Sequence, residues 1–221
     1  MSDSRQIRDI LFDLGNVLAP FDWDIALSRL EPYLSADMAS LLKRDKQAFK
    51  RLFHEPGVAL ERGEIGFDEF HGIMSGRLVI SIEKKEFHRI WCDIFELDED
   101  MTALGEELSK EYGTWLASNT SEAHYQWITK KFPRVLFYRD AALSFELGVM
   151  KPSEKYYSLL IEKFGIDPAR SVFIDDIREN VEGAIRVGMK GIIFRGRDRL
   201  VAELATIGVQ AQPNRESNIA C

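Results

Sequence analysis

Asp9-Ile10-Leu11-Phe12-Asp13-Leu14-Gly15-Asn16-Val17-Leu18 is the stretch on which the reading of this chain turns. An apolar run, Ile10 to Phe12, delivers a carboxylate, and a Gly-Asn pair turns the chain immediately after it. The length of the run and its β-branched and aromatic content predict a buried strand. An ionised Asp at the end of a buried strand is costly unless it is hydrogen-bonded, paired or metal-bound. What matters next is which other polar groups the fold carries to Asp13.

Working outward, four more short apolar runs read as strands: Trp115-Leu116-Ala117, Val135-Leu136-Phe137-Tyr138, Ser171-Val172-Phe173-Ile174 and Gly191-Ile192-Ile193-Phe194. Helical patterns separate them: Met101 to Tyr112, a segment from near Glu122 to Phe132 ended by Pro133, Ser153 to Phe164 closed by Gly165, and Glu179 to Val187 stopped at Gly188. Strands alternating with helices and without hairpin signals predict an α/β fold, a doubly wound, mostly parallel sheet. Ligands of such sheets bind beyond the carboxyl ends of the strands. Asp13, Ser118-Asn119 and Asp175-Asp176 are the polar groups that would meet there. Residues 21–97 show helical spacing without a strand pattern; Pro32 ends or kinks the first helix, and Gly57 and Gly63 to Gly66 interrupt the rest. The expected division is therefore a core of residues 1–20 and 98–221 with a helical insert of residues 21–97. Pro152 reads as a first-turn proline, and the polar tail from Gln210 as frayed.

Composition narrows the partners. The 221 residues are 45% hydrophobic and 29% charged, enough for one substantial core and a smaller accessory unit. A net charge of −7 argues against nucleic-acid binding through a basic face, but a metal ion or one placed lysine can still reverse the local field for an anionic substrate. The two cysteines, Cys92 and Cys221, form neither a disulfide framework nor a zinc-type cluster, so the cytoplasm is the expected compartment. No secretory h-region and no apolar run of about 18 residues is visible, so no membrane association is expected.

Each candidate residue has a plainer reading. Asp13 is a candidate nucleophile, since a carboxylate can attack phosphorus and form an aspartyl-phosphate; alone it reads more readily as a turn cap, and the groups around it reverse that. Asp175 and Asp176, placed beside Asp13, make three carboxylates whose repulsion calls for a shared cation. Oxygen-rich sets suit Mg2+; the alternative is an N-cap for the helix near Glu179. Lys151 is a point charge suited to a phosphoryl group. Ser118 and Asn119 offer a hydroxyl and an amide, or else cap the helix near Glu122.

Together, Asp13-Leu-Gly-Asn-Val, Ser118-Asn-Thr, Lys151-Pro and Phe173-Ile-Asp-Asp176 with Asn180-Val-Glu-Gly-Ala184 resemble the four ordered motifs of the haloacid dehalogenase-like hydrolase superfamily. The insert, including Glu61-Arg-Gly-Glu-Ile65, is similar to the α-helical cap of one subgroup, and the nearest likeness is to sugar-phosphate phosphatases of the α-D-glucose-1-phosphate phosphatase type. The resemblance implies a Rossmann-like core and a Mg2+-dependent phosphatase acting on a small phosphorylated metabolite. It implies Asp13 as nucleophile, with Mg2+ held by Asp13, the Gly15 carbonyl, Asp175 and Asp176. Ser118, Asn119 and Lys151 would bind the phosphoryl group, although Asn119, like Asn180, better suits a loop-shaping role, and Glu61 to Gly66 would point inward. One departure stands out: typical phosphatases of the superfamily carry an acid/base Asp two residues after the nucleophile, and here that residue is Gly15, a glycine that the sugar-phosphate phosphatases it most resembles share. Asp22 and His124 are the candidates to replace it. Gly15 also favours a catalytically weak binding or regulatory protein on the same fold. A metal-free haloacid dehalogenase is the third reading, disfavoured by the Asp175-Asp176 pair.

Overall fold

The computed structural model describes residues 6–211. Asp9–Phe12 (β1) lies at the centre of a five-stranded parallel sheet, flanked by Gly113–Ser118 (β2) and Ser171–Asp175 (β4). Ala141–Leu143 (β3) and Lys190–Ile193 (β5) form the edges, giving the order β3-β2-β1-β4-β5. Ile10, Leu11 and Phe12 are wholly buried, as a central parallel strand requires. Their side chains alternate between two cores: Ile10 and Phe12 join one cluster, Leu11 the other with Tyr156, Tyr157 and Phe173. The register Phe12 opposite Leu116 and Ile174 brings the ends of β1, β2 and β4 to one edge.

Between β1 and β2 the described chain is helical: Trp23–Leu30 (α1), Ala36–Arg44 (α2), Lys46–Glu61 (α3), Phe67–Leu78 (α4) and Lys84–Cys92 (α5). The two chain segments joining this unit to the sheet run side by side, with Asp22 N–H donating to Ile94 O and Glu96 N–H to Pro20 O. Pro32 ends α1 in a 3-10 turn, as its sequence position predicts. Gly57 does not interrupt: it lies inside α3 with Pro56. A proline there leaves the carbonyl four residues earlier unpaired, and Arg77 Nη1 supplies the missing donor to Leu52 O at 3.0 Å. Trp91 is the hub of this unit, 4.7 Å ring to ring from Trp23, 5.7 Å from Phe53 and 4.6 Å from Phe70.

The helices Glu99–Leu108 (α6), Glu122–Lys131 (α7), Ser144–Leu147 (α8), Glu154–Phe164 (α9), Arg178–Arg186 (α10) and Arg197–Thr206 (α11) surround the sheet. One expected strand is misplaced. Val135 to Tyr138 is a 3-10 turn over Pro133–Val135 followed by loop, and the pairing strand is the short Ala141–Leu143. Of the apolar run, Val135 is buried and Leu136 is exposed, while Phe137 stands edge-on to Phe12 at 5.5 Å and close over Gly105, where a Cβ would lie 2.2 Å from its ring. Pro152 precedes Ser153, the N-cap residue of α9, rather than occupying the first turn. Cys221 and most of the tail that reads as frayed lie outside the described residues.

Candidate active site

Asp13 leaves β1 at the shared edge, its N–H donating to Ile174 O at 2.9 Å, so the backbone ladder of β4 holds it in place. Leu14 O then accepts from both Leu18 and Ala19, closing a tight turn that places Asn16 in the left-handed region at φ 55°. Asparagine tolerates that conformation better than most side chains. Its side chain reaches across to Asp176, Nδ2 donating to Oδ2 at 3.1 Å.

Lys151 ties the three strand ends together. Its Nζ lies 2.8 Å from Asp13 Oδ1, 2.6 Å from Asp175 Oδ2 and 2.9 Å from Ala117 O. These contacts use all three ammonium hydrogens. The loop carrying it is clamped by Asn119, whose Oδ1 accepts from Lys151 N and whose Nδ2 donates to Lys151 O. Both ends of the Asn119 amide are thus engaged in bracing that loop. Ser118 is buried at the end of β2. The capping alternatives fail: Ser121 caps α7, accepting from His124 N, and α10 has no side-chain cap at Ile177. Asp175 instead accepts from Ile177 N through Oδ1 and from Asn180 Nδ2 through both oxygens.

One carboxylate oxygen from each of Asp13, Asp175 and Asp176 lies within 4.8 Å of the others. Burial pushes Asp13 up to about 7, against the pull of Lys151 and with the charge on Asp175 adding to it. Asp176, half-buried, is also raised, chiefly by burial. Burial would lower Lys151, but the charges of Asp13 and Asp175 prevail and hold its ammonium above the ordinary lysine value. With all four groups ionised the cluster carries three negative charges against one positive, a surplus that a divalent cation would neutralise. The donor set is all oxygen, which fits Mg2+.

Neither candidate replacement for the missing acid serves. Asp22 caps α1, its Oδ1 accepting from Asp24 N at 2.8 Å. His124 is buried with Nε2 on Trp91 O at 3.1 Å, and burial lowers it to about 4. Position 15 itself is crowded: a Cβ on Gly15 would meet Phe21 Cε1 at 3.1 Å, so the ring would have to give by a few tenths of an ångström.

One feature escapes the sequence. Ser144, at the start of α8, accepts from Thr120 N at 3.0 Å and donates to Glu61 O at 2.6 Å, joining the loop after β2 to the end of α3. Nothing in the local sequence of Ser144 signals this. Glu61 also lines a cavity of about 410 Å³ between α1, α3 and α5, which reaches Met150 beside Lys151.

The sheet order, the helical insert after β1 and the acid cluster at the strand ends define a hydrolase of the cap-bearing α/β type. The family model of the haloacid dehalogenase-like hydrolases matches residues 7–188, and the chain belongs to that family. D-ribitol-5-phosphate phosphatase of Bacteroides thetaiotaomicron is 26% identical over 196 residues, covering 83% of this chain and 90% of that one. A haloacid dehalogenase family enzyme of the same organism superposes with a TM-score of 0.78 at 23% identity, over 87% of this chain and 96% of that one. Its magnesium complex gives 0.75 at 25% identity, over 87% and 96%. No helix among the described residues is long and apolar enough to cross a membrane.

Proposed function

We propose that this chain is a Mg2+-dependent phosphatase of a small phosphorylated metabolite, with a sugar or polyol phosphate favoured. The observation that carries the reading is the meeting of Asp13, Asp175, Asp176 and Lys151 at one sheet edge. A phosphatase among the relatives and a magnesium-bound neighbour support it. Asp13, the Gly15 carbonyl, Asp175 and Asp176 would hold the metal. Bound there, Mg2+ supplies positive charge that offsets the acid cluster and admits an anionic phosphoryl group.

Asp13 attacks phosphorus and becomes an aspartyl-phosphate, which water then cleaves. Lys151 stays beside the transferring oxygens and offsets charge that builds on them. Ser118 offers its hydroxyl to the same group. Asn119 and Asn180 keep Lys151 and Asp175 in place. The helical unit of residues 21–97 serves as the cap, excluding water until substrate is aligned. The acid pair speaks against a metal-free dehalogenase, whose carbon-centred displacement gains nothing from it.

A weak binding protein on the same fold is the second reading, and Gly15 is what favours it. Phosphate release from sugar phosphates, nucleotides and an aryl phosphate separates the two, measured with Mg2+, with chelator and with Asp13→Asn. Metal-dependent release that the variant loses is the expected result. Release that persists in Asp13→Asn refutes the nucleophile, and no release above that variant's background selects the binding protein.

A further inference from the structure

The acid and base that position 15 does not provide must come from elsewhere, and the cap presents one candidate. Glu61 is the last residue of α3. Its backbone is fixed to the core by Ser144, and Gly63 two residues on packs directly against Phe145 O, where a Cβ would come within 2.3 Å. Its carboxyl makes no hydrogen bond or ion pair among the described residues, unlike those of Asp22, Asp175 and Asp176. It lines the cavity walled by Trp23, Phe53 and Trp91, which reaches Met150, the neighbour of Lys151, and it lies near enough to Asp13 and Lys151 for their charges to act on it.

We propose that Glu61 is the general acid and general base of this site, an inference that rests on the phosphatase reading. In the first step an Asp13 oxygen bonds to phosphorus as the bond to the leaving oxygen breaks, and the Glu61 proton passes to that oxygen to give the alcohol. In the second step Glu61 takes a proton from water as the water oxygen bonds to phosphorus. The Asp13–phosphorus bond breaks and inorganic phosphate departs, leaving both side chains as they began. The cavity behind Glu61 receives the alcohol. The surroundings suit this duty: burial raises Glu61 to about 7, the charge on Asp13 adds to the rise and Lys151 opposes it. A group poised there can both give and take a proton near neutrality.

The test compares wild type, Glu61→Gln and Glu61→Asp on a sugar phosphate and on p-nitrophenyl phosphate, with Mg2+ and rapid mixing. An alkoxide needs a proton to leave, whereas p-nitrophenolate does not. Glu61→Gln is expected to lose about 100- to 10,000-fold in kcat on the sugar phosphate. It keeps a stoichiometric burst of p-nitrophenolate followed by a slow phase, as phosphorylated Asp13 accumulates. Glu61→Asp, which retains an acid, recovers part of the loss. Sugar-phosphate turnover within about threefold of wild type in Glu61→Gln overturns the assignment; so does loss of the burst in a variant with unchanged thermal unfolding, which makes Glu61 a binding group. A wild type without metal-dependent release refutes the phosphatase reading itself, and this inference with it.

Discussion

Gly63→Ala adds a single methyl group at the join between cap and core. Gly63 sits at φ 67°, a left-handed conformation that costs an alanine about 1–2 kcal/mol. The new Cβ would lie 2.3 Å from Phe145 O, a backbone atom that no rotamer change can move. An ordinary carbon–oxygen approach is about 3.3 Å, so the loop must retreat by roughly 1 Å. That retreat breaks the bond from Ser144 to Glu61 O, now 2.6 Å, for about 1 kcal/mol more. The sum is about 2–3 kcal/mol, which for a domain of this size lowers Tm by about 5–10 °C. Activity falls further than stability, because a misplacement of about 1 Å in a catalytic group costs on the order of 100-fold. Urea unfolding and kcat/KM on the best sugar phosphate measure the two effects. Gly72→Ala is the control: exposed on α4 with nothing within 4 Å of its Cβ, it is expected to stabilise by about 1 kcal/mol and leave the rate unchanged. A Gly63→Ala protein within about 0.5 kcal/mol of wild type and of equal activity would refute the claim that this loop is docked rigidly on the core.

Lys151→Met leaves Asp13 and Asp175 facing each other without their ammonium, and in chelator should cost about 3–5 kcal/mol by urea unfolding; saturating Mg2+ should return part of it, and a loss under about 1 kcal/mol would contradict the charge balance. His124 has an acid signature: its folded value of about 4 lies below the ordinary 6.5. Its contribution is therefore complete above pH 6.5 and falls away as pH drops from there towards 4, by about 3 kcal/mol in all. His124→Gln should flatten that part of the stability profile, and parallel profiles for the two proteins would show that the imidazole is not held neutral. Gly15→Asp introduces the acid typical of the superfamily, but against the Phe21 ring; no gain in kcat/KM is expected, and a tenfold gain or more would mean that the wild type lacks its acid.

Much of the site is legible from spacing because parallel strands deliver their last residues to a common edge. Asp13 and Asp175 end apolar runs, and Lys151 is marked by the proline after it. What is missed follows from interactions that no local pattern carries. Ala141–Leu143 escapes as a strand because Ala-Ala-Leu is short and of low strand propensity, whereas the β-rich Val135 to Tyr138 beside it is anchored by Val135 and by Phe137 packing on Phe12 rather than by strand pairing. Pro56-Gly57 reads as a break, yet α3 runs through it because Arg77, 25 residues away in sequence, satisfies Leu52 O. His124 is drawn into the cap's aromatic cluster by Trp91, a contact spanning 33 residues. Ser144 bridges 83 residues to Glu61.

The Ser144 bridge bears on why the site can do without an acid at position 15. An Asp there would belong to the core and be present whether or not the cap is seated. Here Phe21, at the entry to the cap, crowds that space, and its ring packs 5.5 Å from Phe95 at the exit. The acid comes instead from the end of α3, and the hydroxyl that holds it is the same one that accepts from Thr120 in the loop after β2. One buried side chain thus ties together the loop beside Ser118 and the backbone that carries Glu61. Proton transfer then depends on the cap being seated, so that water entering an open cap finds Asp13 and Lys151 but no placed base. An aspartyl-phosphate formed under the cap would be hydrolysed there, and one exposed by cap opening would persist. This coupling explains how Gly15 is compatible with catalysis, and it ties the rate to cap docking more closely than a core-borne acid would.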